Sequence, residues 1–366
     1  MTSDHAYLSQ PAEPLLDDSR SSRRATVLSL TGLGVSLLIA VLTVIPAAFA
    51  VGGPGPTFDT LGTKDGVPLV KIEGAPTYDS TGELRLTTVS VADAGSSAFT
   101  MGRVIKGWFS PQEYVLPNEW VFGTPEEQDK VEEQSRVDWI TSQESATVAA
   151  LEALGQPVPA VIRVAEVPED SHATGIIEED DVIVAINGVE AETYDDMAAQ
   201  MEAVTAGDTV TVTVSRDGER LDLEVPTSDG GDGRAVMGIY VDPEFTLPID
   251  VTVAIDSVGG PSAGLMFSLG IMDKLTPQDE LAGAKVAGTG TISAAGDVGP
   301  IGGIQMKMYG ALASGSTYFL APVENCDEVV GNIPSGLSVF SVDTLDDAYD
   351  AIVAIGKGET DSLPTC

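Results

Sequence analysis

Ser262 and Lys307 are the two residues whose type and setting could do covalent chemistry. Ser262 lies in Gly259-Gly260-Pro261-Ser262-Ala263-Gly264, and Lys307 closes Gly299-Pro300-Ile301-Gly302-Gly303-Ile304-Gln305-Met306-Lys307. A serine hydroxyl attacks a carbonyl only after a base takes its proton, and that base is usually histidine. The chain has two histidines, His5 in the N-terminal tail and His172 in a different segment. Neither is near Ser262 in sequence, which leaves a Ser–Lys pair as the nucleophilic arrangement.

Lysine can serve as a base only when neutral. Its ordinary pKa is about 10.4, and burial in an apolar setting lowers it by up to roughly 3–5 units. Ile301, Ile304, Met306 and Met308 supply such a setting around Lys307. Pro261 suits the first turn of a helix, so the pattern predicts a helix over Ala263–Leu275 with Ser262 in its first turn. There the unpaired amides of a helix start, with Gly259, Gly260 and Ala263 as backbone contributors, could hold a developing oxyanion. Taken singly, Ser262 reads as an ordinary cap and Lys307 as a solvated lysine. Their joint pattern decides otherwise.

The elements that must position these residues are legible as patterns. Leu69–Ile72 and Leu84–Val91 read as strands, and residues 124–155 read as helix, with Ser142 capping an apolar run that Gly155 and Pro157 end. Residues 157–241 then give strands at Ala160–Val164 and Val182–Ile186, an Asn187-Gly188 turn, a helix over Tyr194–Val204, and a hairpin of Val210–Ser215 with Leu221–Val225. Thr227–Arg234 reads as an exposed loop. Strands and helices alternate afterwards, including Val286–Ser293 and Thr317–Ala321, which is a mixed α/β pattern.

The formal net charge is −38 over 366 residues. That excludes nucleic acid as a partner, because phosphate binding needs clustered Lys and Arg. Residues 25–50 hold no charge and are long enough to cross a bilayer of about 30 Å as a helix. Arg20, Arg23 and Arg24 precede that run, so residues 1–24 are expected in the cytoplasm and the rest outside. A cleaved signal peptide ending at Ala48-Phe49-Ala50 is the other reading, and the length of the run favours an uncleaved anchor. Gly52–Pro56 reads as a stiff spacer. Cys326 and Cys366 both fall in the exported part, where a disulfide is permissible; two free thiols are the alternative. No metal or cofactor is expected.

Two resemblances carry the functional reading. Residues 157–241, through Ala173-Thr174-Gly175-Ile176-Ile177 and Asp180-Asp181-Val182-Ile183 ahead of Ile186-Asn187-Gly188, resemble a PDZ domain, with Asp180 where the family usually has glycine. Pro261-Ser262-Ala263-Gly264, Thr289-Gly290-Thr291-Ile292-Ser293 and the Gly296–Lys307 segment resemble the proteolytic domain of Lon proteases. That resemblance implies Ser262 as nucleophile, Lys307 as general base and Thr289 as the residue orienting the amine. The family's first lysine is replaced by Gln305, and its Lys-Asp-Gly by Val258-Gly259-Gly260. No Gly-x-x-x-x-Gly-Lys-Ser/Thr loop occurs, so the whole is similar to membrane-anchored, PDZ-containing Lon-like proteases. The implied fold is α+β: a mixed α/β Lon-type proteolytic domain split between residues 57–155 and 242–357, a PDZ domain at 157–241, and one transmembrane helix ahead of both. The implied partners are polypeptide substrates, captured on the PDZ beside Ala160, Val161 and Ile162, the membrane, and further copies in a ring. A membrane-anchored PDZ adaptor with a non-catalytic protease-like scaffold is the competing class.

Overall fold

The computed structural model describes residues 23–44, 49–64, 66–92, 100–123, 125–231, 233–255 and 258–366. Helix α1 (Arg23–Val44) is exposed along its apolar length and is long and apolar enough to cross a membrane. The described helix reaches Val44, and residues 45–48 of the 25–50 run lie outside the described residues. Phe49 and Ala50 belong instead to strand β1 (Phe49–Asp59).

That strand also absorbs the segment read as a spacer. β1 pairs antiparallel with β2 (Glu83–Ala92) on one side and with β3 (Tyr114–Pro117) on the other, with a register shift between Pro54 and Thr57. The glycines serve close approach. A Cβ on Gly52 would run into the Tyr114 ring, and one on Gly55 into Thr88. Helix α2 (Pro125–Ala153) follows. It is continuous through Ser142, so Ser142 is a mid-helix residue and not a cap.

The next module is a second sheet. Strands β4 (Ala160–Glu166), β5 (Val182–Ile186), β6 (Thr209–Arg216), β7 (Glu219–Pro226) and β8 (Tyr240–Phe245) lie in the order β7-β6-β5-β4-β8. Helix α3 (Tyr194–Glu202) begins at a capping box, in which Thr193 and Asp196 each bond the other's backbone amide. Its Met197 packs on Ile162, Ile183, Val212 and Val225, which alternate inward along their strands. Asp180 takes φ +69°, the backbone a glycine would supply, and Asp181 is buried in a two-point contact with the Arg216 guanidinium, both at 2.7 Å. The Thr227–Arg234 stretch is less open than its composition suggests. Ser228–Asp229 pairs with Ala235–Val236, and Thr227 is buried.

After this module the chain returns to the first sheet. Helix α4 (Gly264–Leu275), strand β9 (Lys285–Gly288), the hairpin of β10 (Thr291–Ile292) and β11 (Val298–Gly299), helix α5 (Ile304–Ala313), β12 (Tyr318–Pro322), β13 (Ser338–Val342) and α6 (Leu345–Lys357) follow. The sheet order is β13-β12-β9-β2-β1-β3, and β9 lies parallel to both β2 and β12. Strands from before and after the inserted module therefore share one sheet. Val70–Glu73 pairs with Asp250–Val253 in the same way. The core gathers on α4, buried from Gly264 to Asp273, with Phe267 edge-on to Trp139 of α2 at 5.3 Å. Cys326 and Cys366 form a disulfide that ties the C-terminus to the residue 40 positions earlier.

Candidate active site

The segment around Ser262 is held between α2 and the strand that leads into the β10–β11 hairpin. Gly260 takes φ +77°, and its amide donates to the Ser135 carbonyl at 3.0 Å. Gly259 passes so close to Ser135 that a Cβ would overlap its hydroxyl. One turn-pair further along α2, Ser142 Oγ donates to the Pro261 carbonyl at 3.1 Å. On the opposite side the Ser262 carbonyl accepts from Thr289 Oγ1 at 2.9 Å and from the Gly290 amide at 3.0 Å. Leu265 returns a bond from its amide to the Gly290 carbonyl at 3.2 Å.

Helix α4 begins at Gly264, so Ser262 sits in the turn before the helix and not in its first turn. The reason is long-range packing at Gly264. Gly264 packs against Ile292 and Ser142, where any Cβ would clash, and its amide is spent on the Pro261 carbonyl at 3.2 Å. Ser262 is half-buried at that turn. The amides of Ser262 and Ala263 make no hydrogen bond to another described residue.

Lys307 stands in the first turns of α5 and is only 2% exposed. Burial alone pushes its ammonium down to about 8, because no carboxylate offsets the lost hydration. Nζ donates to Thr289 Oγ1 at 2.9 Å. Thr289 is fully buried, so its one hydroxyl proton goes to the Ser262 carbonyl while its oxygen accepts the amine. The two segments distant in sequence meet at this threonine. No direct hydrogen bond joins Ser262 Oγ to Lys307 Nζ, and Thr289 Oγ1 is the amine's partner among the described residues.

Sequence reasoning gave Ser135, Ser142 and Gly290 no part of their own in the site. The signal available for the first two was their spacing of seven, which puts two small hydroxyls on one face of α2. A search for catalytic residue types passes over them because they act through backbone contacts.

These features have known relatives. Residues 247–354 match the Lon protease (S16) C-terminal proteolytic domain. They are a Lon-type proteolytic domain. Residues 133–227 match the PDZ domain, a span that starts in α2 and stops short of β8. The Lon protease of Campylobacter concisus (strain 13826) is 36% identical over 117 residues, 31% of this chain and 13% of that protein. The Lon protease of Azospirillum brasilense is 39% identical over 92 residues, 24% of this chain and 11% of that protein. The chain thus spans about an eighth of the length of these curated relatives. The PDZ domain of the SdrC-like protein from Listeria innocua is 22% identical over 22% of this chain and 92% of that one, with a TM-score of 0.21.

Ala160, Val161 and Ile162 do not lie at an open sheet edge. Ala160, Val161 and Ile162 are on β4, and their outer edge is already paired with Phe245, Glu244 and Pro243 of β8. With β5 on its other side, β4 has no edge to offer a ligand. The edge strand on that side is β8. Between β8 and α3 opens a cavity of about 730 Å³ lined by Tyr194, Met197, Ala198, Met201 and residues 237–241. Met197 and Met201 serve both the module's core and this cavity wall. Ser262 and Lys307 do not line it. Ala295 and Asp297, from the tip of the Lon-type domain's β10–β11 hairpin, do.

Proposed function

We propose that this chain is an ATP-independent serine endopeptidase in which Ser262 is the nucleophile and Lys307 the general base. The observation that carries the reading is the shared threonine. A lysine stripped of water and pushed down to about 8 bonds a hydroxyl that in turn bonds the carbonyl of Ser262. A neutral amine so placed keeps its lone pair for the serine proton while one N–H stays on Thr289.

The steps follow from those groups. Rotation of the Ser262 side chain brings Oγ to Nζ, which takes the proton as Oγ attacks the substrate carbonyl. The tetrahedral oxyanion is held by the free amides of Ser262 and Ala263. Lys307 returns the proton to the departing amine, leaving an acyl-enzyme on Ser262. It then takes a proton from the water that attacks the acyl carbonyl and passes it to Ser262 Oγ as the acyl C–O bond breaks, releasing the acid and restoring the serine and the neutral amine.

Helix α1 anchors the enzyme, with Arg23 and Arg24 on the cytoplasmic side and the catalytic part outside. The sequence carries no phosphate-binding Gly-x-x-x-x-Gly-Lys-Ser/Thr loop, so no motor within it would unfold a substrate. Substrates are then unfolded, flexible or membrane-proximal polypeptides. The PDZ module captures an extended segment or C-terminus by adding it to the free edge of β8. Cleavage of an unfolded test polypeptide by the full chain in detergent tests the reading. Ser262→Ala and Lys307→Ala abolish it while circular dichroism stays native; robust cleavage by either variant overturns the dyad.

A further inference from the structure

The cavity between β8 and α3 belongs to two parts of the chain at once, and that has a consequence for the site. Its walls come from the PDZ module, but Ala295 and Asp297 reach into it from the tip of the β10–β11 hairpin. Arg234, which also lines the cavity, pairs with Asp297 through Nη1 and Oδ1 at 3.4 Å. Asp297 is built firmly into the tip, since its Oδ2 accepts from Ser293 Oγ and its amide donates to the same oxygen, both at 3.0 Å. The base of this hairpin is the segment that holds the catalytic groups. Gly290 and Thr289 bond the Ser262 carbonyl, and Thr289 holds the Lys307 amine. About five residues therefore separate the groups that meet the cavity from those that set the dyad, at roughly 3.3 Å per residue.

We propose that an extended peptide with a free C-terminal carboxylate, bound in this cavity, competes with Asp297 for Arg234 and thereby releases the β10–β11 hairpin to activate Ser262. The inference rests on the peptidase reading above. In the resting arrangement the hairpin tip is tethered to the PDZ module and Lys307 is engaged by Thr289 alone, with no bond to Ser262 Oγ. The amides of Gly238 and Ile239, which precede β8 and line the same cavity as Arg234, make no hydrogen bond to another described residue. Together with Arg234 they suit a carboxylate, and Met197, Met201 and Ile239 suit an apolar last side chain. A carboxylate arriving there takes over part of the guanidinium that Asp297 holds. Both ends of the Arg234–Asp297 pair are half-exposed or more, at 61% and 50%, so the pair is a weak tether and the effect is modest.

The test uses the full chain in detergent micelles and a ten-residue peptide ending in leucine, as the free acid and as the amide. Activity is read on a short fluorogenic peptide blocked at both ends, and affinity by fluorescence anisotropy of the labelled decapeptide. The free acid raises kcat about two- to fivefold and the amide does not. Asp297→Asn, which keeps the Ser293 contacts, shows raised basal kcat and loses the response; it also binds the free acid about two- to fivefold tighter with the amide unchanged. The charge-swapped pair Arg234→Asp with Asp297→Arg restores a low basal rate. Equal affinity of wild type and Asp297→Asn for the free acid overturns the competition even if no variant is active. Activity that Ser262→Ala abolishes but that neither peptide alters leaves the peptidase standing and removes the coupling.

Discussion

Thr289 Oγ1 lies 2.9 Å from Lys307 Nζ and an equal 2.9 Å from the Ser262 carbonyl, so one buried hydroxyl joins the two halves of the site. Removing that hydroxyl without changing shape is the sharpest test of its role. In Thr289→Val the amine loses its only described partner and the carbonyl keeps only the Gly290 amide. We expect kcat to fall about 10- to 100-fold with KM little changed, and Thr289→Ser to recover most of the loss. An equal loss in both variants would mark Thr289 as a packing residue only.

The pH dependence follows from Lys307. Its ammonium is pushed down to about 8 by burial, and only the neutral amine accepts a proton. The rate kcat/KM should therefore climb about tenfold per pH unit below 8 and level off above it. A profile that is flat between pH 6 and 9 would contradict this.

The same shift has a stability sign. The folded pKa is depressed, so the stabilising balance is present above the unfolded value of about 10.4 and is lost as pH falls through about 8. Lys307→Met should therefore abolish activity yet raise Tm at pH 7, because no charge is then buried. A lower Tm would show that the amine's bond to Thr289 outweighs its lost hydration.

Asp273, buried near the end of α4, behaves in the opposite sense. Burial, helped by Glu280 and only partly opposed by the nearby Ser80 hydroxyl, pushes its carboxyl up to about 7. A raised folded pKa means stability is full below about 4 and is lost as pH rises through about 7. Asp273→Asn should raise Tm at pH 8 and leave it nearly unchanged at pH 4. A uniform shift at both pH values would contradict the titration.

The Cys326–Cys366 bridge closes a loop of 40 residues. Cys366→Ser should cost about 3–4 kcal/mol of stability in denaturant titration, by freeing the unfolded chain. No change in midpoint would show the C-terminus to be held by other contacts.

Local patterns carried much of this fold into view. The α2 span and the strands and helix of the PDZ module follow from apolar periodicity and turn residues such as Asn187-Gly188. Three features did not follow, each for a long-range reason. Gly52–Pro56 has the composition of a spacer, and only its neighbours Tyr114 and Thr88 make it a strand. Ser262 falls outside α4 because Gly264 is wedged against Ile292 and Ser142, residues far away in sequence. Ala160, Val161 and Ile162 are not at a sheet edge because β8, which follows the β6–β7 hairpin, returns to pair with β4. Strand pairing between distant segments is invisible to periodicity.

The most direct measurement is covalent labelling of the full chain by a serine-reactive phosphonate at pH 9, with the modified residue mapped by mass spectrometry. The account predicts a single adduct on Ser262 in the wild type, and none in Lys307→Met although that variant is folded. Labelling of Ser262 to the same extent in Lys307→Met, or cleavage activity with Ser262 unmodified, would contradict it.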